Sequence, residues 1–410
     1  MRLLHTADWH LNDRLGRIDR TDDLRKAVER VATHCKEQKV DVLLVAGDLF
    51  SELARPDALR ETIRHWQDVF ADFLTAGGTI LTLTGNHDNE NFCQTLRHAM
   101  ILAAPAVGRT GETVPPGRLY LASEPTLLKL RDRSDKFDMQ FVLMPFPTPT
   151  RYLKGEAGQK YGSPDEKNKL LTAAFEQAIR DFRQHPRFDP AAPAVLGAHV
   201  HVYGSQVGPS LFRLTEQEDI VVAGDAFHDQ FAYVALGHIH KPQSLGGHDH
   251  VRYSGSIERM DLGEANNSLG VVLVEIGERG RVSEPTVLPL PGTPIYEVAI
   301  TDPAEDLSRL RAEYPDAATD LVNLHIRYTA GRDNLEEVLR ELEAIFPRWY
   351  ARDWVETGQL GPTLTVGDAD RSKGFAETVR EYLRQELIQY ADSDRDELLT
   401  LADELIKECE

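Results

Sequence analysis

Five short apolar runs in the first 300 residues are each followed directly by a segment that carries Asp, Asn or His. The five segments are Asp8-Trp9-His10, Gly47-Asp48, Gly85-Asn86-His87-Asp88, Gly197-Ala198-His199 and Gly237-His238-Ile239-His240. Apolar runs of this length predict buried strands. Open sheets bind their ligands in the crevice beyond the strand ends. The pattern therefore predicts a layered α/β or α+β domain with a polar site at those ends.

Predicted strands and helical stretches alternate through this part of the chain. The six predicted strands are Leu3-Leu4, Val42-Leu43-Leu44-Val45, Ile80-Leu81-Thr82-Leu83, Phe141-Val142-Leu143, Val195-Leu196 and Val234-Ala235-Leu236. Between the first two, Leu24, Val28, Val31 and Cys35 fall on one stripe and predict a helix.

Two segments rich in proline and glycine divide the chain. Residues 147–169 have no apolar period and predict a long exposed loop, whereas residues 289–294 predict a domain boundary. The first domain is therefore residues 1–290. Residues 291–367 predict a small α+β domain, and residues 368–410 predict two amphipathic helices. Those helices either pack on their own domain or bind a partner chain.

Length and composition exclude several classes of protein. A chain of 410 residues suffices for two or three domains of roughly 150 residues each. No run reaches the roughly 18 apolar residues that span a membrane, and the N-terminus lacks the apolar core of a signal peptide. Three scattered cysteines, Cys35, Cys93 and Cys409, indicate neither a disulfide framework nor a thiolate zinc site. We therefore expect a cytoplasmic protein without a membrane partner.

The net charge of −20 argues against a nucleic-acid substrate, because DNA affinity usually comes from Lys and Arg. From residue 301 onward, 13 Lys and Arg stand against 26 Asp and Glu, so this part alone carries −13. The first 300 residues carry −7, which bound divalent cations would partly offset. The charge therefore weakens a DNA substrate without excluding it, and it argues against a primary DNA contact in the C-terminal part.

The five segments supply donors for two metal ions. Two ions about 3.5 to 4 Å apart need separate ligands and one carboxylate whose two oxygens bridge them, and Asp48 is the predicted bridge. The predicted remaining ligands are Asp8, His10 and His240 for one ion, and Asn86, His199 and His238 for the other. Carboxylate, amide and imidazole donors without thiolate suit manganese, iron or zinc.

His87 lies next to a predicted ligand but is itself spare from coordination. It could therefore donate a proton to the leaving oxygen, and Asp88 could orient it. Five further histidines are more simply explained as loop or surface residues than as ligands: His5, His34, His201, His248 and His250.

The five segments resemble the phosphodiesterase motifs of the calcineurin-like metallophosphoesterases. More narrowly, the chain is similar to the SbcD family of bacterial nuclease subunits, which are related to archaeal and eukaryotic double-strand-break nucleases. The segments that carry the narrower resemblance are Met1-Arg2-Leu3-Leu4-His5-Thr6-Ala7-Asp8-Trp9-His10, Gly47-Asp48-Leu49-Phe50, Gly237-His238-Ile239-His240-Lys241-Pro242 and Tyr253-Ser254-Gly255-Ser256-Ile257-Glu258-Arg259. The resemblance covers most of residues 1–290 and is weaker in the C-terminal third.

This resemblance implies a fold, an activity and partners. The fold would be a β-sandwich flanked by helices, with a small α+β capping domain and C-terminal helices. The activity would be manganese-dependent DNA cleavage, exonucleolytic on duplex ends and endonucleolytic on single strands or hairpins, in DNA repair, recombination and replication. The partners would be a second copy of the chain and an SbcC-type ATPase bound by the C-terminal helices. Archaeal relatives can carry a phosphate-orienting histidine after the Gly-Asp motif, where this chain has Ser51 and Glu52.

Arginines near the motifs are candidates for contacts with DNA phosphates, which position a strand without reading its sequence. The candidates are Arg14, Arg17, Arg20, Arg55 and Arg60, and the alternative for each is an ordinary surface arginine. The nearest rival function is a phosphatase or cyclic-nucleotide phosphodiesterase, favoured by the acidic charge and opposed by the extra C-terminal parts. A non-catalytic scaffold is the rival of another class, opposed by the intact Asn86-His87-Asp88 run.

Overall fold

The central strands bury side chains on both of their faces, which is why their sequences are continuous apolar runs. Leu3 and Leu44 belong to a core that also contains Phe141 and Val195 from a second sheet. Successive residues of a strand point to opposite faces, so Leu4 packs on the other side, in a core shared with helices. Two sheets therefore face each other between outer layers of helix, and the predicted layered α/β fold is confirmed.

The two large sheets have seven strands each in this computed structural model. It describes residues 1–52, 54–103, 111, 113–133, 136–153, 161–208, 220–224, 227, 230–315, 317–357 and 398–401. The first sheet consists, in spatial order, of β17 (Gly280–Arg281), β16 (Gly270–Gly277), β1 (Arg2–Thr6), β4 (Val42–Val45), β5 (Thr79–Leu83) and β7 (Leu119–Ala122), with β18 (Thr286–Pro289) beside β16. The second consists of β14 (Gln243–Leu245), β15 (His248–Tyr253), β13 (Tyr233–Gly237), β10 (Ala194–His199), β9 (Asp138–Met144), β8 (Thr126–Arg131) and β6 (Thr113–Val114).

Parallel pairing decides where the polar segments meet. In the first sheet, β1 pairs parallel with β4, and β4 pairs parallel with β5. In the second sheet, β10 and β13 are parallel neighbours. The carboxyl ends within each sheet therefore lie at one edge, and those five strands are the ones whose sequences continue into the polar segments.

Helices cover the outer faces of both sheets. On the first sheet lie α1 (Thr21–Glu37), α2 (Pro56–Thr75) and α3 (Glu90–Ala103), whose buried residues join one core with the strands. The predicted stripe of Leu24, Val28, Val31 and Cys35 is buried in α1, as expected. Phe175 and Ile179 of α5 (Pro164–Gln184) pack on the second sheet.

A smaller sheet follows the sandwich. Its strands are β19 (Ile295–Ile300), β20 (Leu321–Tyr328) and β21 (Trp349–Glu356), with α6 (Pro303–Glu313) and α7 (Leu335–Ile345) against one face. Leu310, Leu324, Leu342 and Phe346 form its own core. Most of this region shares one compact unit with the sandwich, which comprises residues 1–327 and 334–354.

The remaining described residues belong to a second unit, made of residues 328–333 and of those from 355 onward. Within it, the Thr357 backbone N–H donates to the Tyr328 carbonyl at 2.6 Å. The two predicted helices in residues 368–410 lie outside the described residues, apart from the helical residues 398–401. No helix in the described part of the chain has the length and apolar character needed to cross a membrane.

The prediction of a continuous loop over residues 147–169 is wrong at both ends. A short helix, α4 (Pro149–Tyr152), begins it, and α5 begins at Pro164. The Ser163 hydroxyl accepts the Glu166 backbone N–H, and Pro164 occupies the first helical position, where no N–H is needed. Proline here therefore starts helices. Residues 154–160 lie outside the described residues.

Four short strands make two further pairs outside the large sheets. The strands β2 (Arg14–Leu15) and β3 (Ile18–Asp19) form a hairpin between the first polar segment and α1. The strands β11 (His201–Val202) and β12 (Val221–Val222) pair in parallel. Single 3-10 turns lie at Leu262–Glu264, after β15, and at Ala317–Thr319, before β20.

Candidate metal centre and surrounding pocket

The first group of donors joins the segment after β1 to the segment after β13. His10 Nε2 lies 3.1 Å from His240 Nε2, although the two residues are 230 positions apart in sequence. A carboxylate oxygen of Asp8 completes the group, whose three donor atoms all lie within 4.8 Å of one another. The structure thus brings together the three residues that the sequence assigned to one ion.

The second group centres on the amide oxygen of Asn86. This oxygen lies 3.1 Å from His199 Nε2 and 3.0 Å from His238 Nδ1. Asn86 follows β5 in the first sheet, whereas the two histidines come from the ends of β10 and β13 in the second sheet. The three residues that the sequence assigned to the other ion therefore also meet.

Asp48 lies between the two groups. Its Oδ2 is 3.2 Å from His199 Nε2 and 3.6 Å from His10 Nε2. Its Oδ1 accepts the backbone N–H of His87 at 2.9 Å. One carboxylate oxygen therefore faces both groups, whereas the sequence interpretation assumed that both oxygens would do so.

The spacing and chemistry of these donors fit divalent cations. Bonds of about 2.0–2.2 Å place two ligand atoms of one ion roughly 3 Å apart. The closest donor pairs, between 3.0 and 3.2 Å, match that separation. Imidazole, carboxylate and amide donors suit first-row divalent metals.

Hydrogen bonds behind two of the rings fix which nitrogen faces the donors. His199 Nδ1–H donates to the Ala46 carbonyl at 2.7 Å, and His240 Nδ1–H donates to Glu264 Oε1 at 2.6 Å. In both rings Nε2 then faces the other donors, and it offers a lone pair to a metal once its proton is displaced. Glu264 is buried and also accepts from the Ser256 hydroxyl at 3.0 Å. Sequence analysis missed Glu264, which lies 24 residues beyond the histidine it holds.

The backbone at several predicted ligands adopts a conformation that side chains rarely tolerate. Six non-glycine residues in the described part of the chain have positive φ, and four are Asp8 (55°), His10 (43°), Asp48 (51°) and His238 (98°). Such angles cost on the order of 1–3 kcal/mol each and persist where surrounding structure enforces them, often at functional sites. The strain aims these side chains into a single crevice.

Two glycines are required because the donors approach the backbone closely. A Cβ on Gly47, whose φ is +96°, would lie 2.2 Å from His199 Nδ1. A Cβ on Gly85 would lie 2.0 Å from Asp48 Oδ1. Neither position admits a side chain without displacing a predicted ligand.

Two of the histidines bind protons tightly when no metal competes. Burial lowers the pKa of His199, but the adjacent Asp48 carboxylate outweighs it and raises the pKa to about 9. Burial likewise lowers the pKa of His240, but the adjacent Glu264 carboxylate outweighs it and raises the pKa to about 10. Both rings are therefore cationic at neutral pH in the metal-free protein, and a metal must displace their protons.

We expect manganese binding at pH 7 to release about one proton from each of these rings. Because protons and metal compete for the same nitrogens, the affinity for manganese should rise with pH as long as the pH is below the pKa of the rings. The expected rise is about tenfold per pH unit for each proton that the metal displaces. Calorimetry in two buffers with different ionisation enthalpies counts the protons. In Glu264→Gln the carboxylate that raises the pKa of His240 is gone, so His240 should already be neutral at pH 7. The number of protons released on manganese binding should therefore fall by about one. Equal affinity at pH 6 and pH 8 would contradict the competition.

His87 lies beside the first donor group without joining it. Its ring packs edge-on against His10, with centroids 5.1 Å apart, and its Nδ1 is 3.5 Å from Glu52 Oε2. The predicted orienting role of Asp88 does not match the contacts, because its oxygens accept the backbone N–H groups of Phe50 and Gly85. Asp88 thus ties two polar segments together, and the carboxylate that faces His87 is Glu52, which sequence analysis did not assign to this role.

The candidate arginines differ in their environments. Arg20 is buried, donating to Asp23 Oδ2 at 2.6 Å and to the Arg259 carbonyl at 2.8 Å, so its assignment as a DNA contact is corrected to a structural role. Arg17 donates to the carbonyls of Pro347 and Trp349. Arg17 is nevertheless exposed, as are Arg14, Arg55 and Arg60.

The remaining histidines lie outside both donor groups, as far as the described residues extend. Burial lowers the pKa of His5 to about 3, so the ring is neutral and bonds to the Tyr233 hydroxyl at 2.9 Å. His34 lies 3.2 Å from the Pro289 carbonyl. His248 and His250 pack against each other, with centroids 5.6 Å apart.

A cavity of about 590 Å³ opens over the donors. His10, Asp48, Asn86, His87, His238 and His240 line it. Arg14, Lys241, the turn 260–264, Asn323 and Tyr350 line the rest. The cavity therefore joins the donor groups to the hairpin β2–β3 and to the small sheet.

Comparison with known proteins agrees with this geometry. Residues 1–242 match the family described as calcineurin-like phosphoesterase. Similar curated proteins include the SbcD subunit of the nuclease SbcCD from Bacillus subtilis, 26% identical over 72% of this chain and 72% of the relative. The same subunit from Rhodobacter capsulatus is 28% identical over 71% and 69%, and that from Escherichia coli K12 is 26% identical over 84% and 82%. The resemblance predicted from the motifs is confirmed.

Proposed function

The chain belongs to the calcineurin-like phosphoesterase family and is an enzyme that hydrolyses phosphodiester bonds, and we propose that it is a manganese-dependent DNA nuclease subunit. The observation that carries the proposal is the convergence of two donor groups on Asp48, under a cavity of about 590 Å³. The relatives named as nuclease subunits support the choice of DNA over other phosphodiesters.

Two manganese ions would share Asp48. One would take Asp8, His10 and His240, and the other Asn86, His199 and His238. Bound divalent ions supply a nucleophile at neutral pH and offset the charge of the phosphate. The protein contributes by fixing their ligands: the Ala46 carbonyl and Glu264 hold two rings in the tautomer that presents Nε2.

His87 would act on the leaving group. Its side chain is 12% exposed and lines the cavity, so it can meet substrate. Glu52 Oε2 lies 3.5 Å from Nδ1, so Nε2 is the nitrogen that would donate a proton to the departing sugar oxygen. Asp88 would act only on the backbone that carries His87.

The wider organisation is part of the same proposal. Residues 1–290 would form the nuclease domain, residues 291–367 a capping domain and residues 368–410 a helical segment that binds an SbcC-type ATPase. The protein would act as a cytoplasmic homodimer in DNA repair, recombination and replication, cutting duplex ends as an exonuclease and single strands or hairpins as an endonuclease. Loss of co-purification with that ATPase on deletion of residues 368–410 tests the partner.

One assay separates this function from its rivals. The pure protein is incubated with manganese and with linear duplex DNA, single-stranded circles, a cyclic nucleotide or p-nitrophenyl phosphate. We expect cleavage of both DNAs, its loss in a chelator, and little turnover of the two small esters. Faster turnover of p-nitrophenyl phosphate or the cyclic nucleotide than of DNA would instead support a small-ester phosphoesterase, which the net charge of −20 favours.

A further inference from the structure

The cavity over the donors has the size of a nucleotide site. Its volume of about 590 Å³ falls within the roughly 300–1,000 Å³ of sites that enclose a small ligand. A duplex, whose major groove alone is about 12 Å wide, does not enter a space of this volume. The cavity therefore suits a short stretch of unpaired strand better than a whole duplex.

The lining offers a place for each chemical part of a nucleotide. The metal donors can hold the scissile phosphate, while Arg14 and Lys241 place positive charge for its neighbours along the strand. The rest of the lining combines polar residues, among them Asp13 and Asp261, with apolar ones that include Leu262 and Tyr350. A phosphate gains nothing from the apolar part of this surface, whereas the flat face of a base can stack on it.

Tyr350 is close to the metal centre through a short chain of contacts. Glu264 holds His240 at 2.6 Å and belongs to the turn Leu262–Glu264, which also lines the cavity. Asp261 begins that turn and is near enough to Tyr350 to affect its phenol. Burial first, with the charges of Glu297 and Asp261, raises the pKa of Tyr350 to about 12, so the ring is neutral.

The backbone of Tyr350 is fixed by the hairpin β2–β3. A Cβ on Gly16, whose φ is +54°, would lie 2.1 Å from the Tyr350 carbonyl oxygen, so the two chain segments touch directly. Arg17 of the same hairpin donates to the Trp349 carbonyl at 3.1 Å. Tyr350 thus lines the cavity from a strand whose backbone the hairpin holds in place.

The two aromatic residues that begin β21 differ in what their ring faces meet. The guanidinium groups of Arg17 and Arg352 each lie 4.0 Å from the ring centroid of Trp349. The faces of that ring are therefore already in contact with cations. Among the described residues, Tyr350 has no such cation and no aromatic partner, and it lines the cavity half-buried. Of this pair, Tyr350 is the one that is open to a ligand.

We propose that Tyr350 stacks on an unpaired nucleobase adjoining the scissile phosphate, in a subsite that it forms with Leu262. This inference rests on the proposed nuclease function and adds its specificity: the enzyme recognises the base face beside the cut without reading base identity. Tyr350 is a positioning residue for the strand, and its hydroxyl has no part in the chemistry.

A pair of single-stranded oligonucleotides tests the stacking. One has a normal sequence, and the other carries a central run of abasic residues, so that cuts within the run have no neighbouring base. Wild-type protein should cut the abasic run with a kcat/KM about 5- to 150-fold lower, the range that base–aromatic stacking supplies. Tyr350→Ala should lower kcat/KM on the normal strand by the same factor. On the abasic run its kcat/KM should equal that of the wild-type protein.

Two variants serve as controls. Tyr350→Phe keeps the ring and should stay within about twofold of wild type on both strands. Trp354→Ala removes another aromatic side chain of β21, which is 48% exposed and does not line the cavity, and it should change neither rate. Manganese binding, measured by calorimetry, should be the same in all four proteins, because Tyr350 belongs to neither donor group.

An independent readout uses an oligonucleotide with 5-iododeoxyuridine, which crosslinks under ultraviolet light to stacked aromatic side chains. The adduct should map to Tyr350 by mass spectrometry. Equal losses for Tyr350→Ala on the normal and abasic strands would overturn the stacking and leave a structural role. If wild-type protein leaves all DNA intact while hydrolysing p-nitrophenyl phosphate, the nuclease proposal fails and takes the subsite with it. If wild-type protein cuts DNA but Tyr350→Ala does so equally well, only the subsite fails.

Discussion

Asp48→Ala is expected to lose both metal ions and to lower DNA cleavage by at least about 10⁴-fold. Asp48 Oδ2 lies 3.2 Å from His199 Nε2 and 3.6 Å from His10 Nε2, so a single atom serves both donor groups. Bound metals would lower the pKa of the attacking water, so without them the nucleophile at neutral pH is largely lost. Equilibrium dialysis with elemental analysis counts the ions, and a DNA cleavage assay measures the rate.

Folding should survive this substitution. Removing Asp48 ends its repulsion of Asp8, whose pKa it helps burial to raise to about 6, and also its attraction for the protonated His199 ring. Burial lowers the pKa of His199, so that ring can lose its proton in the variant and no unpaired buried cation need remain. Asp48→Asn keeps an acceptor for the His87 backbone N–H and isolates the loss of charge. Asp57→Ala, at an exposed carboxylate in the first turn of α2, should leave both ions in place. If either ion persists at full affinity in Asp48→Ala, Asp48 does not bridge.

The donor groups were predictable because they depend on a local rule. Each ligand ends a strand or follows one within a few residues, and parallel strands bring their carboxyl ends to one edge. The order of Asp8, Asp48 and Asn86 along the chain therefore translates directly into positions on the first sheet. The same reasoning predicted that β10 and β13 deliver histidines beside one another.

Contacts that support the donors could not be predicted in this way. Glu264 meets His240 only because a turn after β15 folds back over the strand end, and nothing in the segment between these two residues, which are 24 positions apart, signals the contact. Asp88 illustrates the opposite error. It is adjacent to His87 in sequence, yet its side chain is drawn away to the N–H groups of Phe50 and Gly85. Neighbours along the chain need not have neighbouring side chains.

The roles of the arginines could not be predicted for a related reason. Arg14, Arg17 and Arg20 look equivalent, because they recur every three residues between a polar segment and a helix. The hairpin turns them to different surroundings: Arg14 stays exposed, Arg17 covers Trp349, and Arg20 is buried at 2% exposure beside Asp23 and Glu258. Those partners lie in other elements, so only the tertiary structure distinguishes the three arginines.

His87→Asn is expected to lower DNA cleavage by about a hundredfold to ten-thousandfold while leaving both metals bound. That loss, roughly 2.7 to 5.4 kcal/mol of barrier, is what a general acid typically contributes. The metal groups should survive because the contact between position 87 and Asp48 Oδ1 is made by the backbone N–H, which Asn retains. Single-turnover cleavage of a labelled single strand measures the chemical step, and equilibrium dialysis checks the metals.

The leaving group provides an internal control for this prediction. A sugar alkoxide must be protonated as it departs, whereas a nitrophenolate departs without a proton. His87→Asn should therefore be much less impaired on bis-p-nitrophenyl phosphate than on DNA, while Asn86→Ala, which removes a predicted ligand, should be impaired on both and partly rescued by excess manganese. His98→Asn, at an exposed histidine of α3, should match wild type. Equal loss on both substrates, with the metals still bound, would mean that His87 positions the phosphate or stabilises its charge instead of protonating the leaving oxygen.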